Sequence, residues 1–209
     1  MEKITVKNNE IDIIEIKKSK FLAFSYFVKD KEEVLEIIKE HKEKYKDARH
    51  NCFGYVIKSN LEEGFSDDGE PGRTAGFPIL EYLKNNNYEY TLVIVTRYFG
   101  GILLGTGGLS RAYGDSTKMV LEKSGKCRVG QGIKIEFKTD YSNSETIKYY
   151  LEKEKYIIEN IKYLDEVIFD ILVFEEEFEE FEYKFTKFLG IDKENFKYKL
   201  DKTIIRDER

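Results

Sequence analysis

Hydrophobic and polar positions change period several times along the chain, and each change marks an element. "IDIIEIK" (11–17) alternates, and "KFLAFSYFV" (20–28) is apolar and aromatic throughout; with "KSK" as the turn they predict two strands. In "DKEEVLEIIKEHKEKYK", Val34, Ile37, Ile38, His41 and Tyr45 recur at helical spacing behind Asp30 as N-cap, with acidic residues in the first turn. "NCFGYVIK" predicts a third strand, "SNLEEGFSDDGEPGR" a polar loop, and "TAGFPILEYLKNN" a short helix with Pro78 in its first turn or kinking it. "YTLVIVTR" is apolar on both faces and is placed centrally in the sheet. A glycine-rich stretch and a helix from about Gly108 to Lys123 close this part. The order is ββαβαβα, an α/β sandwich on a mixed sheet.

"SGKCRVGQG" punctuates the chain near residue 125. Beyond it, "IKIEFKTD" (strand), "SNSETIKYYLEKEK" (helix), "YIIENIKYL" and "DEVIFDILVF" (strands), "EEEFEEFEYKFTKFLG" (helix) and "NFKYKLDKTIIR" (strand) follow. The order βαββαβ is the ferredoxin-like split motif. The helices carry acidic outer faces with Phe and Tyr at core spacing, which suits a compact docking module. The expected organisation is α+β, with an N-terminal domain over 1–125 and a C-terminal ferredoxin-like domain over 126–209.

Charge narrows the function. The net charge is −5, which argues against indiscriminate coating of nucleic acid. Residues 1–125 carry 19 Lys/Arg against 20 Asp/Glu, and residues 126–209 carry 16 against 20, so a local basic site fits the first part better. There is no apolar run long enough to span a membrane and no signal-peptide pattern at the N-terminus. With only two cysteines, Cys52 and Cys127, one disulfide is conceivable, and a cytoplasmic protein with reduced thiols is the simpler expectation.

"TRYFGGILLGTGGLSRAYGDS" (96–116) holds six glycines between a strand and a helix. Such a turn can cradle an anion on backbone N–H groups and a helix N-terminus. Gly100 and Gly105 have Walker A spacing, but Thr106 and Gly107 stand where Lys and Ser/Thr are needed. Gly105, Gly107 and Ser110 miss the last glycine of the dinucleotide fingerprint. What survives is a generic cradle of Gly100, Gly101, Gly105, Gly107 and Gly108, with Arg97 and Arg111 at its ends. The bland alternative for Arg111 is a helical pair with Asp115.

Two further groups carry chemistry. His50 and Cys52 share a strand face and could form a nucleophile pair, although a buried structural cysteine and a hydrogen-bonding histidine are the commoner outcomes. Asp67, Asp68 and Glu70 could hold a magnesium ion; a solvated turn with Thr74 as N-cap is the reading preferred. His41 falls on the core edge of its helix and is set aside. No metal site and no cofactor is expected.

The segments "KSKF", "DARHNCFGYVI", "FSDDGEPGRTAGFPIL" and "VTRYFGGILLGTGGLSRAYG", in this order over residues 17–125, resemble the YigZ/IMPACT family. Residues 126–209 resemble, by topology, the C-terminal domain of its bacterial members. The resemblance implies a first domain with a fold shared by a ribosomal-protein domain and domain IV of elongation factor G, and a second like the last domain of that factor. It also implies a link to translation, since the eukaryotic branch regulates translation by binding proteins. One departure is Pro71-Gly72-Arg73-Thr74, where Arg73 adds a positive charge to the family's pattern. The function expected first is a translation-associated factor that binds RNA, the ribosome or another phosphate-bearing partner. Lys20, Arg49, Arg73, Arg97 and Arg111 would contact phosphates, with Tyr98 and Phe99 stacking on bases. A metal-assisted hydrolase using the acidic loop with His50 or Cys52, and a regulator docking on a protein, are the alternatives.

Overall fold

The structure, a computed structural model, describes residues 2–58, 61–192, 196 and 198–207. The start of the expected polar loop (59–60) and parts of the expected last strand (195 and 197) lie outside the described residues. The chain forms two compact units, one ending at Val129 and the other spanning Gly130–Asp207.

The first unit runs β1 (Ile4–Val6), β2 (Glu10–Ile16), β3 (Ser19–Phe27), α1 (Lys31–Lys44), β4 (His50–Lys58), β5 (Glu62–Ser66), α2 (Gly76–Asn85), β6 (Thr91–Tyr98) and α3 (Thr106–Ser124). Its main sheet has the order β2-β3-β6-β4-β5. Every neighbouring pair is antiparallel, which corrects the mixed sheet expected above. The helical crossover from β3 through α1 leaves β4 parallel to β3, but β6 fills the gap between them and runs against both. β6 is central, as its apolar pattern predicts, and is buried on both faces.

Two strands escaped the sequence pattern. β5, within "EEGFS", has weak strand propensity and is formed by its pairing with β4, against whose Tyr55 ring Gly64 lies. The three-residue β1 pairs with Lys126–Arg128. α3 begins at Thr106 rather than Gly108, so Gly107 and Gly108 lie in its first turn.

α2 and α3 cover one face of the sheet, packing on Phe21, Ala23, Cys52, Val56, Val93 and Val95. On the other face α1 buries Val34, Ile38 and His41. Asp30 caps α1 as predicted, accepting from the Glu33 N–H at 2.9 Å. His41 is buried; its Nε2 lies 2.7 Å from Thr96 Oγ1, which donates to Asn51 Oδ1 at 2.8 Å. Burial, then the nearby Lys44 charge, lower the His41 pKa to about 4.

The second unit contains most of β7 (Lys126–Thr139), followed by α4 (Tyr141–Lys153), β8 (Ile157–Tyr163), β9 (Val167–Phe174), α5 (Phe178–Leu189) and β10 (Tyr198–Asp207). The strand order β10-β7-β9-β8 is ferredoxin-like. Phe137, Ile147, Leu151, Phe169, Phe181 and Phe185 fill its core at the spacing the sequence predicts.

Candidate functional site

The site forms where β4 begins and β6 ends. The register sets His50 opposite Arg97, so both side chains fall on the α2/α3 face. Two loops close over them: the turn after β5, and the turn that joins β6 to the start of α3. A cavity of about 390 Å³ results, lined by Arg49, His50, Gly69, Glu70, Pro71, Arg97, Phe99, Leu103, Leu104, Gly105, Thr106 and Leu109.

Arg97 forms its floor. The side chain is almost fully buried, and Nη1 donates to Glu70 Oε1 at 2.6 Å. Tyr113, reaching from α3, donates its hydroxyl to the same oxygen at 2.9 Å. His50 Nδ1–H donates to the Asp68 carbonyl at 2.8 Å, so in the neutral ring Nε2 is the free acceptor; it lies 3.8 Å from Glu70 Oε1. Arg97 Nε is buried with no hydrogen-bond partner among the described residues. The Arg49 and Arg97 guanidiniums each lie 5.5 Å from the centre of the Phe99 ring. Two cations therefore meet one carboxylate here, leaving an excess of positive charge.

The entry to α3 adds to it. Gly105 is the N-cap at φ 73°, a conformation suited to glycine, and no side chain caps the helix. The first N–H groups of α3, with the positive end of its dipole, stand uncapped beside the arginines.

The acidic loop is differently employed. Asp67 accepts from the N–H groups of Arg73 (2.7 Å), Ala75 (3.0 Å) and Gly76 (2.9 Å), and so caps α2 from outside the helix. This corrects the expectation that Thr74 is the cap: its hydroxyl donates to the Pro71 carbonyl at 2.7 Å. Asp68 accepts from Lys42 Nζ at 2.6 Å and the Asn51 N–H at 2.7 Å. Burial raises its pKa, but those bonds and the Lys42 and His50 charges outweigh it, and the net shift is downward. All three carboxylates already serve protein donors, and no group of His, Cys, Asp and Glu with the arrangement of a metal site occurs among the described residues.

Cys52 is fully buried; its S–H donates to the Asp67 carbonyl at 3.1 Å, and its Sγ lies 3.4 Å from the Tyr113 hydroxyl oxygen. Burial foremost raises its pKa; the Tyr113 hydrogen bond opposes this, and the Glu70, Asp68 and Asp67 charges add to it. The thiol is thus held protonated, the opposite of what a nucleophile needs. Neither Cys52 nor Cys127 is in a disulfide.

The remaining candidates divide. Gly100 sits where an added Cβ would lie 2.0 Å from the Lys18 carbonyl carbon, and its N–H donates to Ser19 Oγ, which locks the turn against the β2–β3 hairpin; Gly101 supplies a φ of 85° in open space. Lys20 and Tyr98 pair with each other on the α1 side of the sheet, beside Ile13, Glu15 and Leu22, away from the cavity. Arg73 stacks on Phe77 at 3.5 Å. Arg111 bonds the carbonyl of Gly107, one turn back, rather than Asp115. Neither of these two arginines lines the cavity. The Glu70–Tyr113 contact and the apolar wall of Leu103, Leu104 and Leu109 were not anticipated; the inward position of Tyr113, one turn after Leu109, was the available signal.

Residues 17–121 match the model of the Impact N-terminal domain. The chain belongs to the IMPACT family. Residues 137–190 match a domain of unknown function, DUF1949. The IMPACT family member YvyE of Bacillus subtilis (strain 168) is 38% identical over 174 residues, covering 83% of this chain and 80% of that one. The IMPACT family member YigZ of Escherichia coli (strain K12) is 39% identical over 112 residues, 52% of this chain and 55% of the relative, so that match spans about half the relative's length. A crystal structure of a hypothetical protein matches with a TM-score of 0.59 at 28% identity, covering 96% of this chain and 97% of that one.

Proposed function

We propose that this IMPACT family member is a translation-associated, cytoplasmic factor that binds a phosphate-bearing partner, RNA or the ribosome, through the cavity at the end of β6. The observation that carries the binding half is the meeting of Arg49, Arg97 and the uncapped N-terminus of α3 around one carboxylate. Guanidiniums and helix N-termini both favour phosphate oxygens. The link to translation rests on kinship with the family's eukaryotic branch. The hydrolase alternative loses ground because Asp67, Asp68 and Glu70 are engaged by protein donors and the Cys52 thiol is kept neutral. The second unit acts in this reading as a docking module.

The test is a salt titration of binding to ribosomes and to short RNA. Arg49 is exposed, so Arg49→Ala should stay folded by circular dichroism while weakening binding several-fold and flattening the salt slope by about one ion. Arg111→Ala, outside the cavity, should retain wild-type affinity. Equal affinities for wild type and Arg49→Ala, or no binding at all, would reject the reading.

A further inference from the structure

We propose that the cavity at the end of β6 accepts a single nucleoside 5′-monophosphate unit, either free or at the 5′-phosphorylated end of an RNA. This rests on the phosphate-binding reading above and specifies what else the phosphate carries.

The cavity has two chemically different sides. On one are Arg97, Arg49 and the start of α3. Arg97 is 5% exposed, its Nε is buried with no partner among the described residues, and it lines the same cavity as the uncapped start of α3. Two guanidiniums and a helix dipole suit the dianion of a terminal phosphate better than the single charge of an internal diester. On the other side are Phe99, Leu103, Leu104 and Leu109. Leu103 is 81% exposed and Phe99 39% exposed. Their exposure contributes nothing to folding, and an occupant would remove both from water. Phe99 already carries the Arg49 guanidinium near its ring. Aromatic and guanidinium planes together form the surface on which unpaired bases stack.

Size and polarity agree. A volume of about 390 Å³ lies near the lower end of the ~300–1,000 Å³ of pockets that enclose small molecules. It holds one nucleotide, whereas grooves that follow a strand accommodate about 4 or more. His50 Nε2 is an acceptor when the ring is neutral, because Nδ1–H is committed to the Asp68 carbonyl. It can receive a hydrogen bond from a ribose hydroxyl or an exocyclic amine.

The test compares the four nucleoside 5′-monophosphates, adenosine and inorganic phosphate by calorimetric titration of the full chain. Alongside these, a short oligoribonucleotide is titrated with and without a 5′-phosphate. At least one mononucleotide should bind about tenfold more tightly than inorganic phosphate, the worth of one stacked base. Phe99→Ala and Leu103→Ser, both at exposed positions, should remove that advantage while phosphate binding persists. A preference for the 5′-phosphorylated oligonucleotide over its 5′-hydroxyl form identifies an RNA end; preference for mononucleotides alone identifies a free nucleotide. Both support the inference. If inorganic phosphate matches every mononucleotide and the two oligonucleotides bind equally, the inference is overturned and the phosphate reading stands. If neither phosphate nor RNA binds, both fall.

Discussion

Replacing Glu70 by glutamine removes one negative charge from beneath the cavity and almost nothing else. The two side chains are nearly isosteric, and the amide oxygen can still accept from Arg97 and Tyr113. The carboxylate is 3% exposed and the partner guanidinium 6% exposed, so water screens the pair weakly. Two unit charges about 4 Å apart at an effective dielectric of about 20 attract by about 4 kcal/mol. Removing one partner of a buried pair typically costs about 3–5 kcal/mol, because the other charge is left uncompensated. The retained hydrogen bonds put Glu70→Gln at the lower end, about 3 kcal/mol. For a chain of this length that lowers Tm by about 6–12 °C. The chain has no tryptophan, so urea unfolding is followed by far-ultraviolet circular dichroism and tyrosine fluorescence. The second unit holds none of these residues, and a resolved transition of its own should stay in place. Phosphate should stabilise the variant more than the wild type, since Glu70→Gln leaves the arginines without a competing anion. A loss below about 0.5 kcal/mol would place Glu70→Gln among ordinary surface changes and refute the buried-pair argument.

The low His41 pKa means the unfolded chain binds that proton more readily than the folded one, so stability is complete above pH 6.5 and falls as pH drops towards about 4. The loss should be about 1–3 kcal/mol, allowing for residual screening. Urea midpoints at pH 7 and 4.5 measure it, and a drop just as large in His41→Gln would refute the assignment. Gly100→Ala forces a methyl into the Lys18 backbone and should destabilise by about 2–3 kcal/mol or more, whereas Gly107→Ala, in open space within α3, should stabilise by about 0.5 kcal/mol. Thermal melts of the two variants moving the same way would contradict the packing described. Neither buried thiol should react with iodoacetamide in the native protein at pH 8, and both should do so in urea; native labelling of Cys52 at the rate of a free thiol, read by mass spectrometry, would count against its burial.

The regular elements were legible because their periods are clean: the doubly apolar β6, the Asp30-capped α1 and the whole βαββαβ succession. β5 was hidden because acidic residues and a glycine build it, and only its neighbour makes it a strand. For the site, Arg49, His50, Arg97, Phe99 and Gly105 were visible as residues. Glu70 was visible only as a metal-ligand candidate, since its meeting with Arg97 depends on the β4–β6 register and on a turn with Asp68 at φ 44° and Arg73 at φ 62°. Strand alternation alone dictates that Tyr98 points away from Arg97, so the two cannot serve one cavity. The outward courses of Arg73 and Arg111 follow from local contacts, with Phe77 and with a carbonyl one turn back, that no spacing rule encodes.

The placement of β6 between β3 and β4 also governs the order in which the chain can assemble. β2–β3 and β4–β5 are local hairpins, each able to form soon after synthesis. Neither contacts the other until β6 arrives, and the Phe27–Thr91 pairing must close a long loop first. During translation the two hairpins therefore wait with an open edge each, exposed to chaperones or to wrong partners, until one late strand zips them together. Arg97 lies near the end of that strand, and the turn and helix start that follow it supply the rest of the lining, so a chain truncated before β6 lacks a complete cavity.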